Sequence, residues 1–239
     1  MNDHRAAAPL SVYFNKEKNN KMMPELTLIQ KIAVWALPLL FAITVHEVAH
    51  GWMARRLGDP TAAMLGRLTL NPVKHIDPVG TILVPGILLV LGGFIFGWAK
   101  PVPVNWRNLR DPRRDMILVS VAGPAANLGM ALLWGFILKV GLLLNDTTPM
   151  LGLPLIYMGG AGVLINLVLM VLNLLPIPPL DGSRIVSGLL PPELAMQYNR
   201  LESVGFIILL ALLATGMLGS IIGPPIFALR SMIFAVLGI

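Results

Sequence analysis

The stretch Thr44-Val45-His46-Glu47-Val48-Ala49-His50-Gly51 decides how this chain is read. It sets His-Glu-x-x-His inside an apolar run, IAVWALPLLFAITV before it and GWMA after it. Residues four apart share one face of an α-helix, so His46 and His50 can aim both imidazoles at one metal ion. Glu47 lies beside that face, placed to act as a general base and not as a ligand. Two neutral imidazoles suit Zn2+, and a catalytic zinc needs a third protein ligand and an open position. The competing reading is a buried polar cluster without metal. A Glu and two His in a membrane-grade helix are costly unless they face a protein interior and have a partner, and this favours the metal.

Working outward, the segment of about Gln30 to Ala54 is long enough to cross a bilayer. Arg55 and Arg56 follow at once, then Arg67 and Lys74, so this end is expected on the cytoplasmic side. The composition agrees with a membrane protein. Of 239 residues, 56% are hydrophobic and only 13% charged, with a mean hydropathy of +0.76, whereas soluble domains carry about a quarter charged residues. The net charge of +6 therefore marks cytoplasmic loops and is no nucleic-acid footprint. The chain has no cysteine, which excludes disulfides and thiolate-bound zinc. The fold class expected is an all-α polytopic membrane protein with about five or six membrane segments.

Residues 1–22 are polar and irregular and read as a disordered tail, with Met22 or Met23 as an alternative start. Residues 23–200 read as the membrane-embedded core and 201–239 as C-terminal transmembrane segments. The loop 55–78 holds His75 and Asp77, expected as an interfacial histidine and a turn aspartate. Residues 79–98 are apolar but interrupted by Pro85, Gly86, Gly92 and Gly93, with basic flanks on both sides. That pattern predicts a re-entrant or β-hairpin element after the first helix, with a plain transmembrane helix as the alternative, and its last part extended because Pro101 and Pro103 exclude helix. An exposed strand edge there could pair with an unfolded peptide.

Asp115 to Leu144 reads as the second firm span. It carries Gly123-Pro124-Ala125-Ala126-Asn127, with Lys139 near its outer end. A third span, 153 to about 175, returns to the cytoplasmic side and stops at Asn173-Leu174-Leu175-Pro176-Ile177-Pro178-Pro179-Leu180-Asp181-Gly182. The charge pattern puts Asp181 at the depth of His46 and His50, which makes it the best candidate for the third ligand. Glu193 and Glu202 are weaker candidates. Gly182 is expected to allow a tight turn after Asp181. Ser203–Leu218 and Ile221–Leu237 read as an outward and a returning span, the latter broken at Gly223-Pro224-Pro225.

His46-Glu47-Val48-Ala49-His50 together with Asn173-x-x-Pro176-x-Pro178-x-Leu180-Asp181-Gly182 resembles the site-2 protease family of intramembrane zinc metalloproteases, in a compact form without a PDZ or CBS domain. Gly123-Pro124-x-x-Asn127 resembles a third family feature. The resemblance implies that His46, His50 and Asp181 bind zinc, that Glu47 is the general base, and that Asn173 stabilises the oxyanion or holds substrate. It implies that Asn127 lies near the substrate, that the piece from Gly93 to Val104 is a membrane-reentrant β element, and that Gly97 and Trp98 contact substrate. The expected partners are a transmembrane protein substrate and the lipid bilayer, with a homo-oligomer open and no nucleic acid. The expected location is a bacterial inner membrane with the active site towards the cytoplasm. The alternative is an inactive scaffold or regulator of the same fold.

Overall fold

The computed structural model describes residues 26–83 and 100–239. The tail 1–22, residues 84–98 of the expected re-entrant element, and the Gly97 and Trp98 contacts lie outside the described residues. By its contacts the chain divides after Ala33. In the first unit, Thr27 Oγ accepts the Gln30 amide at 3.3 Å and Gln30 Oε1 accepts the Thr27 amide at 2.9 Å. This capping box satisfies donors that a helix start leaves open.

The long helices are α1 (Leu28–Arg56), α2 (Pro112–Asn145), α3 (Pro149–Asn173) and, near the C-terminus, one at Met217–Leu237. Between α3 and that last helix lie α4 (Asp181–Leu189), α5 (Pro192–Asn199) and α6 (Glu202–Ala214), so Met217–Leu237 is α7. Four of these, α1, α2, α3 and α7, are long and apolar enough to cross a membrane, and α6 is a shorter apolar helix. Among the described residues there is no β-strand. Lys100–Val104 runs without a ladder, because Pro101 and Pro103 offer no N–H and the neighbouring donors are bound elsewhere in the fold.

Contacts between the helices fix their directions. Asn127 of α2 reaches the Ala42 carbonyl of α1 at 3.3 Å, whereas His50 reaches Val119, so α1 and α2 are antiparallel. In the α2–α3 hairpin a Cβ on Gly159 would lie 2.6 Å from the Leu138 nitrogen, and one on Gly162 would lie 2.2 Å from the Trp134 ring. Small residues here let two backbones close up where lipid offers no hydrophobic drive to association. The core beside them joins Ala131, Trp134, Val163, Leu167 and Val171 to Ile226 and Ile233 of α7.

The last helix departs from expectation twice. It runs unbroken through Gly223-Pro224-Pro225, since membrane helices tolerate proline when neighbours meet the freed carbonyls. It also runs parallel to α2. A Cβ on Gly135 would touch Ile233 and Leu237, and Lys139 Nζ donates to the Leu237 carbonyl at 2.5 Å. α7 therefore runs in the direction of α2, and not against it as a returning span would. The turn before it, at Gly216 with φ +73°, follows a helix of 13 residues, roughly 20 Å at 1.5 Å per residue and short of a bilayer core. Lys139 thereby caps the C-terminus of α7.

One end of the bundle thus gathers the C-terminus of α1, the N-terminus of α2, the C-terminus of α3, and α4. It also gathers both flanks of the undescribed stretch: the Lys100 amide donates to the His75 carbonyl at 2.9 Å. Asp59 knots this end together. Its Oδ1 accepts Thr61 Oγ at 2.5 Å, Asn108 Nδ2 at 2.9 Å and the Thr61 amide at 3.1 Å, and its Oδ2 accepts the Asn105 amide at 2.7 Å. Burial works to raise its carboxyl, but these donors outweigh it and hold the group below the usual aspartate value.

Candidate metal centre

α1 delivers His46 and His50 one turn apart on its buried face. α4 delivers Asp181 as its first residue, in the turn where a negative charge meets the helix dipole favourably. The atoms converge. His46 Nε2 and His50 Nε2 are 3.0 Å apart, and Asp181 Oδ2 stands 3.2 and 3.1 Å from them. Among the described residues this is the group of histidine and acidic side chains placed to hold a metal ion.

The tautomers follow from the second layer. His46 Nδ1 is 2.6 Å from Asn127 Oδ1, and His50 Nδ1 is 2.7 Å from the Val119 carbonyl. Both partners are acceptors, because the Asn127 amide nitrogen is spent as a donor on Asn166 Oδ1 at 2.9 Å and on Ala42. Each Nδ1 therefore carries the hydrogen and each Nε2 offers a lone pair to the centre. Two lone pairs and a carboxylate oxygen within about 3 Å repel unless a cation lies among them. Four ligands at 2.0–2.1 Å in a tetrahedron stand about 3.3 Å apart, close to the spacing found, so the donor set fits zinc.

The α2 backbone closes the back of the site. A Cβ on Gly123 would meet His50 Nε2 at 2.4 Å and His46 Cε1 at 2.6 Å. Gly182 serves a similar need, and not the turn expected of it. Its φ is not positive, but a Cβ there would come within 2.4 Å of the Leu174 and Leu175 carbonyls. α4 is held at its other end by Arg113 of α2, whose Nε donates to the Gly188 carbonyl at 3.0 Å and whose Nη2 donates to those of Leu189, at 3.5 Å, and Leu190.

Glu47 stands outside the ligand group, half-buried, with Oε2 accepting the Val102 amide at 2.7 Å. Asn173 lies at the end of α3 with Nδ2 on the Leu169 carbonyl at 3.0 Å. Asn127 is fully buried and its hydrogen bonds run to His46, Asn166 and Ala42, which is the geometry of a histidine-orienting group. His75 is also buried and its Nε2–H donates to the Thr69 carbonyl, 2.9 Å away. Asp77 Oδ1 accepts the amides of Val79 and Gly80 in a turn. Neither joins the metal group, nor do Glu193 and Glu202. Sequence reasoning missed Asn166, although a fully buried Asn in a membrane helix is itself a signal. It could not find the Val119 carbonyl, which any residue would supply.

A His-His-carboxylate centre at one end of a bundle of apolar helices defines a membrane metalloprotein class. Comparison with known proteins narrows it. The model of "Peptidase family M50" matches residues 148–215, which include Asn173 and Asp181. The Bacillus subtilis protein named "Putative zinc metalloprotease YwhC" is 43% identical over 205 residues, 82% of this chain and 87% of the relative. Two proteins named "Putative zinc metalloprotease Rip2" are each 34% identical. That of Mycolicibacterium smegmatis aligns over 77% of this chain and 66% of its own length, and that of Mycobacterium tuberculosis over 69% and 59%. No solved structure matches. The chain belongs to peptidase family M50.

Proposed function

We propose that this chain is a zinc metalloendopeptidase of the site-2 type, cutting peptide bonds in or near transmembrane segments of membrane proteins. The observation that carries the reading is the convergence of His46 Nε2, His50 Nε2 and Asp181 Oδ2, with Glu47 one residue from the first ligand. Family membership and the zinc metalloprotease names of the relatives support it.

His46, His50 and Asp181 would hold the zinc, which when bound acidifies a water and polarises a carbonyl. Glu47 takes the proton from the attacking water and later delivers it to the leaving amine. The Val102 amide fixes Oε2 of Glu47 and leaves Oε1 to hold that proton. Asn173 keeps a second Nδ2 hydrogen beyond the one on Leu169, available to a developing oxyanion. Asn127 and Val119 hold the imidazoles in the tautomer that binds metal.

In this reading residues 23–200 form the protease core and 201–239 pack against it. The flanks at His75 and Lys100 are joined by a hydrogen bond at the site's end of the bundle. Arg55, Arg56, Arg67, Lys74, Lys100, Arg107, Arg110, Arg113 and Arg114 cluster at the site's end of the bundle, which supports a cytoplasmic-facing site in a bacterial inner membrane. The substrate helix must unwind, since a closed helix hides its carbonyls in hydrogen bonds. The test compares a membrane-anchored substrate with its soluble peptide, using wild type and Glu47→Gln. Cleavage of the anchored form by wild type alone is expected. Equal cleavage of the soluble peptide would contradict the intramembrane assignment.

A further inference from the structure

A cavity is lined in part by α4, the helix that opens with the metal-ligating Asp181. It has a volume of about 260 Å³ and is lined by Arg184, Ser183 and Ser187 of α4, Asn199, Glu202 and Trp106, with Met116, Pro178 and Pro179 as apolar walls. Two opposite charges face it. The Arg184 guanidinium lies over the Trp106 ring at 5.0 Å. Stacking holds the plane and leaves the edge N–H groups available. Glu202 is the exposed first acidic residue of α6. Among the described residues neither makes an ion pair, with the other or elsewhere. Ser187, only 4% exposed, also has no hydrogen-bond partner there.

The depth of the cavity is readable. Met116 belongs to the first turns of the spanning helix α2, and Glu202 opens the apolar helix α6. The cavity therefore sits where apolar helices begin, at headgroup level. Trp106 and Tyr198, whose hydroxyl donates to the Pro176 carbonyl at 2.9 Å, are the aromatic type found at that level. A cation and an anion that share a cavity without bridging leave room for a molecule bearing both signs. We propose that this cavity binds a phosphate–ammonium zwitterion, the chemistry of an ethanolamine phospholipid headgroup and of its soluble phosphodiester. Arg184 takes the phosphate oxygens by paired N–H bonds, Ser187 adds a hydroxyl, and Glu202 takes the ammonium. Pro178, Pro179 and Ser183 flank Asp181 in sequence, so an occupant braces the helix that carries the carboxylate.

The test uses the full chain in detergent with zinc. It follows the thermal midpoint during titration with short-chain phosphatidylethanolamine, short-chain phosphatidylglycerol or glycerophosphoethanolamine. The ethanolamine lipid should raise the midpoint saturably and bind about tenfold tighter than the glycerol lipid, the size of one lost charge-assisted hydrogen bond. Arg184→Gln should abolish the response. Glu202→Gln, an exposed change that leaves the Trp106 stack intact, should erase the preference between the two lipids. A response to the soluble phosphodiester that depends on the same two residues supports the site and shows that the headgroup alone suffices. A response to the lipid only supports it with the membrane as the source. No response to either ethanolamine compound, or a response equal for both lipids and unchanged in both variants, overturns the proposal.

Discussion

Gly123 lies against His50 so closely that a Cβ on it would come within 2.4 Å of the imidazole Nε2, the atom that faces the metal. The α2 backbone is therefore part of the centre. Gly123→Ala must push an imidazole off its position. The expected outcome is at least about a tenfold loss of zinc affinity, in the range of other losses of ligand orientation. Competition with a chromogenic chelator measures it. Unchanged affinity would show that the helix yields without moving the histidines.

Asn127 orients His46 and is itself held by Asn166. Asn127→Leu removes the acceptor that keeps hydrogen on Nδ1, and zinc affinity should fall about 10–100-fold. Asn166→Leu should cost less, because Ala42 still accepts from the Asn127 amide. If the two substitutions cost the same, the relay has no order.

Arg113 acts on Asp181 from a distance, by fastening the far end of α4. Arg113→Gln should speed zinc release several-fold while the zinc-free protein keeps its thermal midpoint within about 2 °C, since each exposed contact is worth little to global stability. A fall in midpoint with unchanged zinc release would make the residue a plain structural brace.

Asp59 gives a pH prediction outside the membrane spans. Its folded-state value lies below the unfolded one, so its contribution is present above the unfolded value of about 3.9 and is lost as pH falls through the folded value. Asp59→Ala leaves the Asn105 amide without its acceptor and should destabilise the zinc-free protein by about 1–3 kcal/mol at pH 7. The gap to wild type should begin to narrow near the unfolded value and go on narrowing as pH falls through the folded one. A gap that stays constant down to low pH would show that the carboxylate's charge is not what counts.

Much of this site is legible in the chain because spacing carries it. His46 and His50 meet through helical period alone, and Asp181 joins them because the basic loops set its depth. The four long helices follow from apolar length. Other parts leave no trace of that kind. Asn127 reads as a polar group near the substrate, and only the rotation of α2 against α1 turns it to His46. Asp59 reads as a loop residue until Asn105 and Asn108 are brought to it. The direction of α7 depends on the shortness of α6, which hydropathy over residues 203–218 conceals. The Glu47 contact to Val102 needs a tertiary meeting across 55 positions.

The most direct test of the central claim is zinc per chain, measured by elemental analysis on wild type, Glu47→Gln and Asp181→Ala purified side by side. The account predicts about one zinc in wild type and in Glu47→Gln, and a small fraction of that in Asp181→Ala, because a base can be lost without the metal and a ligand cannot. Full zinc in Asp181→Ala, or loss of zinc in Glu47→Gln, would contradict it.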